Sequence, residues 1–427
     1  MKRVLIITYY WPPAGGPGVQ RWLKFVKYFR EFEIEPIVYV PLNAHYPLQD
    51  VSFVTEVPKD VEILKQRIKE PYRFAKLLSK KKTQAMSSGL ISKKEPSLLN
   101  KLMLYIRGNY FIPDARIGWV KPSVRYISDY LQSNQIDAIV TTGPPHSLHL
   151  IGLELKNRFG INWLADFRDP WTTIHYHDSL RLTEKSKRKH QALEAKVLQA
   201  ADAISVTSVA TKSEFELITQ QKIAVITNGF DVSDGVEAHL DTKFSLVHTG
   251  SLLSERNPMV LWRVLSELCI ERNDFAKAFK LRLVGAVSEE VIASIEANGL
   301  TPYLDLPGYV THGEAIQQQH NAQVLMLIEI DRPETKAIIP GKLFEYMLAQ
   351  RPILALGPMG SDVSEMITNS NTGAYFVYTE KDNLKQHILD LFQLYSNGNL
   401  NSIPVSDISQ YSRRQLTGTM ASLLKML

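Results

Sequence analysis

The sequence predicts an α/β protein made of two parallel sheets, each covered by helices, and three observations predict it. Short β-branched runs alternate with amphipathic stretches along nearly all of the 427 residues. The runs are continuously apolar, as strands buried on both faces are, rather than alternating apolar with polar. They are also too many for one doubly wound sheet, in a chain longer than one ordinary domain. A first series comprises Val4–Tyr10, Ile37–Pro41, Val61–Lys65, Ala138–Thr142, Trp163–Phe167, Ala203–Thr207 and Ala224–Thr227. A second comprises Ser245–Thr249, Leu281–Val284, Tyr303–Leu306, Gln323–Ile328, Ile353–Leu356 and Ala374–Val377. Between them, Arg21–Phe32, Lys185–Gln199 and Met259–Arg272 carry helical spacing.

The polar stretch Asp231–Asp241 separates the two series. It gives a Rossmann-like domain over 1–235 and a second over 236–410, expected to face each other across a cleft. The segment 411–427 is helix-like and follows no strand, so it is expected to pack back on the first domain. Pro71–Pro113 breaks the alternation and carries Lys80-Lys81-Lys82 and Lys93-Lys94 among scattered apolar residues. Asp60–Arg125 holds fifteen Lys or Arg against five acids, so an anionic partner is expected near it. A solvated helical insertion is the plainer reading of this stretch; a surface resting on anionic lipid is the sharper one. No nucleic-acid-binding signature accompanies the charge, and none is expected as a partner.

Composition narrows the rest. At 44% hydrophobic and 22% charged, the chain is globular rather than disordered. The single Cys269 excludes an internal disulfide framework, a Cys-rich zinc site and a CxxC redox centre. The longest apolar runs, such as Val324–Ile328, have the length of a strand and not of a membrane span. Lys2-Arg3 before Val4–Ile7 is too short a pattern for a signal peptide, so a cytoplasmic protein is expected.

Ligands of open α/β sheets sit at the carboxyl ends of the strands, which directs attention to the loops there. Trp11–Gly18 holds Gly15 and Gly16 before a helix, where the backbone can approach an anion. Its spacing is not GxGxxG, which speaks against a dinucleotide-binding dehydrogenase; a tight turn is the alternative. Thr141–Ser147 presents His146, which composition alone also allows as an incidental surface group. Ala165–Trp171 packs Asp166, Arg168 and Asp169 into one loop, a candidate acceptor contact or else a structural salt-bridge knot. In the second half, Gly250 and Ser251 lead to Arg256 near a helix start, suited to a phosphate. Ile338–Tyr346 opens a helix at Pro340-Gly341. It carries Lys342 and Glu345 three residues apart, either a surface ion pair or ligands for a phosphate and a sugar hydroxyl.

These residues resemble the nucleotide-sugar glycosyltransferases of GT-B fold, family 4, retaining type. The resemblance spans the chain. It rests on Tyr9–Gly18, Val225–Asp231, His248–Ser251 with Arg256-Asn257-Pro258, Pro307–Val310, and above all Pro340–Glu345 followed by Arg351–Ala355. It implies that Glu345 binds the donor ribose, that Lys342, Arg256 and the amides near Gly341 and Leu343 meet the diphosphate, and that Gly16 faces it. It further implies that Tyr309 and Val310 hold the base, that His146 contacts the transferred sugar, and that Asp166 and Asp169 lie nearer the acceptor. One departure stands out: Ala337 occupies the place of a first Glu eight positions before the ribose-binding one. Ser251 and Leu252 also stand where a second basic residue is usual.

The resemblance implies transfer from a UDP or GDP type sugar to a glycan or lipid-linked hydroxyl, with retention. Such a reaction is expected in cell-envelope or surface glycan synthesis. No cofactor and no metal are expected, because no DxD-type acidic motif is present. The protein is expected in the cytoplasm or at the inner face of the plasma membrane. Two rivals are a nucleotide-sugar epimerase on the same scaffold and a non-catalytic nucleotide-sugar-binding protein, the latter favoured by Ala337.

Overall fold

The computed structural model describes residues 1–46, 48–68, 98–174, 177, 180–231, 236–400 and 406–427. The lysines of the basic stretch, Lys80, Lys81, Lys82, Lys93 and Lys94, lie outside the described residues, as does the end of the first domain expected at 235.

The chain forms two compact units, 1–228 with 413–427 and 229–412. Each is built on one all-parallel sheet. The N-terminal unit holds seven strands: β1 (Lys2–Ile7), β2 (Ile34–Pro41), β3 (Glu62–Gln66), β4 (Ala138–Gly143), β5 (Asn162–Phe167), β6 (Ala203–Val206) and β7 (Lys222–Val225). They lie in the order β3-β2-β1-β4-β5-β6-β7. The C-terminal unit holds six: β8 (Phe244–Thr249), β9 (Phe279–Val284), β10 (Leu304–Gly308), β11 (Val324–Ile328), β12 (Ile353–Gly357) and β13 (Gly373–Val377). Their order is β10-β9-β8-β11-β12-β13.

Every strand expected from the sequence forms. β1 ends three residues early, at Ile7 rather than Tyr10, where the Thr8 hydroxyl turns back to the Tyr10 carbonyl. The first helix starts at Pro17, four residues before Arg21, because proline suits the first helical position and its fixed φ continues the turn from Gly16.

Both faces of each sheet are covered. In the N-terminal unit, Leu5, Ile7 and Trp163 pack into a core on one side and Val4, Ile6 and Trp22 into a core on the other. In the C-terminal unit the even residues of β8, Phe244 and Leu246, face one core while Val247 faces the second. Each fully buried Leu or Phe contributes about 1.5–3 kcal/mol, and so the strands read as unbroken apolar runs.

The helix Arg413–Lys425 belongs to the N-terminal unit. Leu416, Met420, Ala421, Leu423 and Leu424 join the core of Trp22, Leu23 and Val26. Lys2 Nζ donates to the Leu424 carbonyl at 2.9 Å and Asn162 Nδ2 to that of Leu427 at 2.6 Å. The units divide at Asn228/Gly229, ahead of the expected polar boundary, because Phe230 pairs with Ser412 and its amide bonds the Tyr411 carbonyl.

In each sheet the strand order reverses once, between β1 and β4 and between β8 and β11. Loops leaving the carboxyl ends of neighbouring strands diverge at such a point and leave a crevice for a ligand. Among the described residues, no helix is long and apolar enough to cross a membrane.

Candidate functional site

In the C-terminal unit the reversal point gathers the loop after β8, the loop after β11 and the helix Lys342–Ala349. Gly250 turns at φ 101° and Gly285 at φ 120°, and their backbones stack so closely that a Cβ on Gly285 would lie 2.5 Å from the Gly250 carbonyl oxygen. Glycine is required at both. A Cβ on Gly250 would lie 2.9 Å from Lys342 Nζ, so the ammonium rests on this turn.

Lys342 and Glu345 do not pair with each other. Lys342 Nζ donates to the Thr249 carbonyl at 2.6 Å and lies 3.2 Å from His248 Nε2. His248 is fully buried, and burial with Lys342 beside it holds its pKa well below the usual value. Its Nδ1 lies 3.0 Å from the Met326 carbonyl, which only accepts, so Nδ1 carries the proton and Nε2 accepts from Lys342. Burial, and then Arg256 nearby, bring the Lys342 pKa down to about 7. Glu345 is held by Gln319, whose amide donates to Glu345 Oε2 at 2.9 Å and to Thr249 Oγ1 at 3.0 Å. Tyr346 receives the Thr249 amide at 3.0 Å. The Arg256 side chain forms no hydrogen bond or ion pair with a described residue, while its amide bonds the Leu253 carbonyl. A cation near neutrality, an uncommitted guanidinium and a carboxylate with a free oxygen edge therefore share one strand end. That set suits a phosphate next to a hydroxyl-bearing group.

Around it, Ser251 is exposed and Tyr309 is 93% exposed, with Val310 packed on the unit's second core. Gly341 caps the helix, and the Leu343 amide closes the turn on the Pro340 carbonyl at 3.0 Å. Leu343 is fully buried with its amide spent, so it is a core residue and not a donor ligand.

In the N-terminal unit the reversal point gathers the loops after β1 and β4. Gly16 turns at φ 97°, while the Gly15 amide bonds the Leu48 carbonyl at 3.0 Å. His146 stacks on Trp171 with centroids 5.1 Å apart and planes 4° apart. Neither of its ring nitrogens has a hydrogen-bond partner among the described residues. Burial, with His149 and Arg168 close by, keeps it neutral. His149 Nε2 is equally unpartnered, and both rings crowd Gly143, where a Cβ would lie 2.6 Å from His149 Nε2 and 3.0 Å from His146 Nδ1. The helix that begins after His146 offers no free anion site, since Asp114 already accepts from the Ser147 amide and hydroxyl.

Asp166 is not a substrate contact. It is fully buried, and its two oxygens accept from Arg21 Nη2 at 2.9 Å, Trp22 Nε1 at 2.8 Å, Thr142 Oγ1 at 2.8 Å and Ser205 Oγ at 2.7 Å. Burial alone would raise its pKa; the Arg21 charge and these bonds hold it below the usual carboxylate range. Arg168 is also engaged. It donates to the Gly143 and Pro144 carbonyls, and its guanidinium covers Gly18, which has no room for a Cβ. The structural knot is therefore the reading that holds for Asp166 and Arg168. Asp169 is half-buried beside Arg168.

Comparison with protein-family models and with curated protein sequences gives no match. Among solved structures, sucrose-phosphate synthase from Thermosynechococcus elongatus superposes with a TM-score of 0.58 at 12% identity, over 100% of this chain and 99% of that one. HepE of Anabaena, solved in complex with UDP-glucose, gives 0.57 at 14% identity over 100% of both chains. The fold is GT-B. The putative UDP-N-acetylglucosamine 2-epimerase of Listeria monocytogenes is also similar, at 0.54 and 11% identity over 100% of this chain and 96% of that one. Among the described residues, no group of three His, Cys, Asp or Glu is arranged to hold a metal ion.

One residue of this GT-B chain escapes sequence reasoning altogether. Glu329, the first residue after β11, is 5% exposed beside the Arg256 site. It accepts from Ser361 Oγ at 3.0 Å and meets Tyr375 Oη at 2.8 Å, and that phenol also lies 2.9 Å from the Pro358 carbonyl. The phenol has one proton for two acceptors, so a protonated Glu329 completes the network. Burial raises its pKa to about 7 against the opposing effects of Tyr375, Ser361 and Arg256. A carboxyl raised in this way binds more protons folded than unfolded between pH 4.5 and 7. Its contribution is thus fully present at low pH and lost as pH rises through 7, by on the order of 3 kcal/mol. Urea unfolding of Glu329→Gln should lose that slope between about pH 4.5 and 7. A variant with the same slope as the native chain would show that Glu329 does not titrate there.

Proposed function

We propose that the protein is a glycosyltransferase. It moves a sugar from a nucleoside diphosphate sugar of the UDP or GDP type to a hydroxyl on a glycan or lipid-linked acceptor, with retention and without a metal ion, in the synthesis of a cell-envelope or surface glycan. The observation that carries this reading is the pairing of Lys342 with Arg256 at the reversal point of the C-terminal sheet, with Glu345 one helical turn away. In the proposed reaction the bond from the anomeric carbon to the diphosphate oxygen breaks, and negative charge grows on that oxygen. Lys342 and Arg256 stabilise it as preorganised cations. The acceptor oxygen bonds to the anomeric carbon on the same face and passes its proton to the departing phosphate. Glu345 accepts from ribose hydroxyls through the oxygen that Gln319 leaves free. His146, neutral and with both ring nitrogens available, is proposed to bond a sugar hydroxyl, and Tyr309 and Val310 to hold the base. A cytoplasmic site of action beside an anionic membrane is part of the same proposal.

The test is a thermal-shift screen with UDP, GDP, ADP, CMP and NAD. One diphosphate at about 100 times its dissociation constant should add about 2.7 kcal/mol, and Glu345→Ala should lose the shift. The Listeria neighbour makes epimerisation the second reading, and it is separated by asking whether nucleotide release requires a hydroxyl acceptor. No shift with any nucleotide would remove the transferase reading and leave a binding scaffold without its donor.

A further inference from the structure

A cavity of about 520 Å³ opens in the N-terminal unit, at the carboxyl ends of β2 and β3 and beneath the turn Val51–Glu56. Its volume lies within the range of small-molecule sites. Trp11, Val40, Ala44, Val57 and Ile63 give it an apolar side, and the charged residues in its lining are Lys59 and Lys65, with no acid among them. Both lysines are exposed, and neither forms an ion pair or hydrogen bond with a described residue. The mouth is apolar as well. Leu42 is 53% and Val54 48% exposed, and Leu48 and Val51 close by are 61% and 72% exposed. Four large apolar side chains held in water over so short a stretch mark a surface built to meet apolar matter. The two lysines fix the sign of what accompanies it.

We propose that this cavity binds one apolar chain ending in a phosphate, the chain against Trp11 and Val40 and the phosphate between Lys59 and Lys65. A bare phosphate would leave the apolar wall unused, and a neutral or cationic amphiphile would leave the lysines without a partner. The cavity lies wholly within the N-terminal unit, whereas Arg256, Lys342 and Glu345 lie in the other. The proposal therefore does not depend on the transfer reaction, and the failure of one leaves the other standing.

The probe is dodecyl phosphate below its micelle concentration, titrated calorimetrically into the full chain. One saturable site is expected, with affinity falling about fourfold for each methylene removed. Inorganic phosphate should not compete. Dodecyltrimethylammonium should bind at least tenfold more weakly. Lys59→Gln with Lys65→Gln, both on the surface, should weaken dodecyl phosphate at least tenfold, and Ala44→Phe, which fills the cavity, should abolish binding with the nucleotide shift retained. Equal binding of the cationic amphiphile, or unchanged affinity in the lysine variant, would overturn the phosphate assignment. Unaltered binding in Ala44→Phe would overturn the cavity itself.

Discussion

Nucleoside diphosphate affinity should fall about tenfold for each pH unit above 7, and Lys342→Met should remove both this dependence and roughly 10- to 100-fold of affinity. The reason is a count of protons at Nζ. A neutral amine has two, and the Thr249 carbonyl and His248 Nε2 already take two. Only the charged form has a third proton to offer a phosphate oxygen. In the free protein, burial and Arg256 hold the Lys342 pKa at about 7. Binding of a dianion raises it, so binding above pH 7 draws a proton from solution. Titration calorimetry in two buffers of different ionisation heat measures that proton directly. A zero proton uptake at about pH 8 with unchanged affinity would mean that Lys342 does not meet the phosphate. The same depressed pKa acts on stability with a definite sign. Between pH 7 and 10.5 the folded lysine holds fewer protons than the unfolded one, so its contribution rises with pH in that window.

Asp166→Ala should cost the N-terminal unit about 3–5 kcal/mol, because it strands the Arg21 guanidinium, itself 4% exposed, without a counter-charge. Trp22, Thr142 and Ser205 lose their acceptor at the same time. Asp166→Asn should recover part of the loss, since an amide oxygen still accepts while the charge is gone. The measurement is the urea midpoint of the N-terminal unit, with Glu345→Ala, a half-buried residue of the other unit, as a control that leaves it unchanged. The result that would return Asp166 to the substrate is a normal midpoint with a raised KM for the acceptor.

The two readings of Asp166 show where a sequence stops being informative. All thirteen strands were legible because burial on two faces writes itself into contiguous residues, as in Val324–Ile328. The knot at Asp166 joins Arg21 across 145 positions, Ser205 across 39 and Thr142 across 24. No local pattern distinguishes such a carboxylate from one facing a ligand. Lys342 and Glu345 were visible because they open one helix, but their spacing left a mutual ion pair and ligand roles both open. Their true partners, Thr249 and Gln319, come from other segments. Glu329 follows an apolar strand with nothing in sequence to mark it, since Ser361 and Tyr375 meet it only through the sheet. Leu343 was misplaced for a simpler reason: its neighbours carry the chemistry while it fills the core.

The helix Arg413–Lys425 has a consequence for how the protein is made. The N-terminal unit leaves the ribosome before the other, yet its Trp22, Leu23 and Val26 face is sealed by residues 413–427. The whole C-terminal unit is synthesised in between. At ordinary elongation rates that interval is about 10–40 s. For that time the Trp22, Leu23 and Val26 face of the first helix lacks the residues that seal it. Loss of the helix's last turn, which carries Leu423 and Leu424, would leave that apolar face open to water and prone to association.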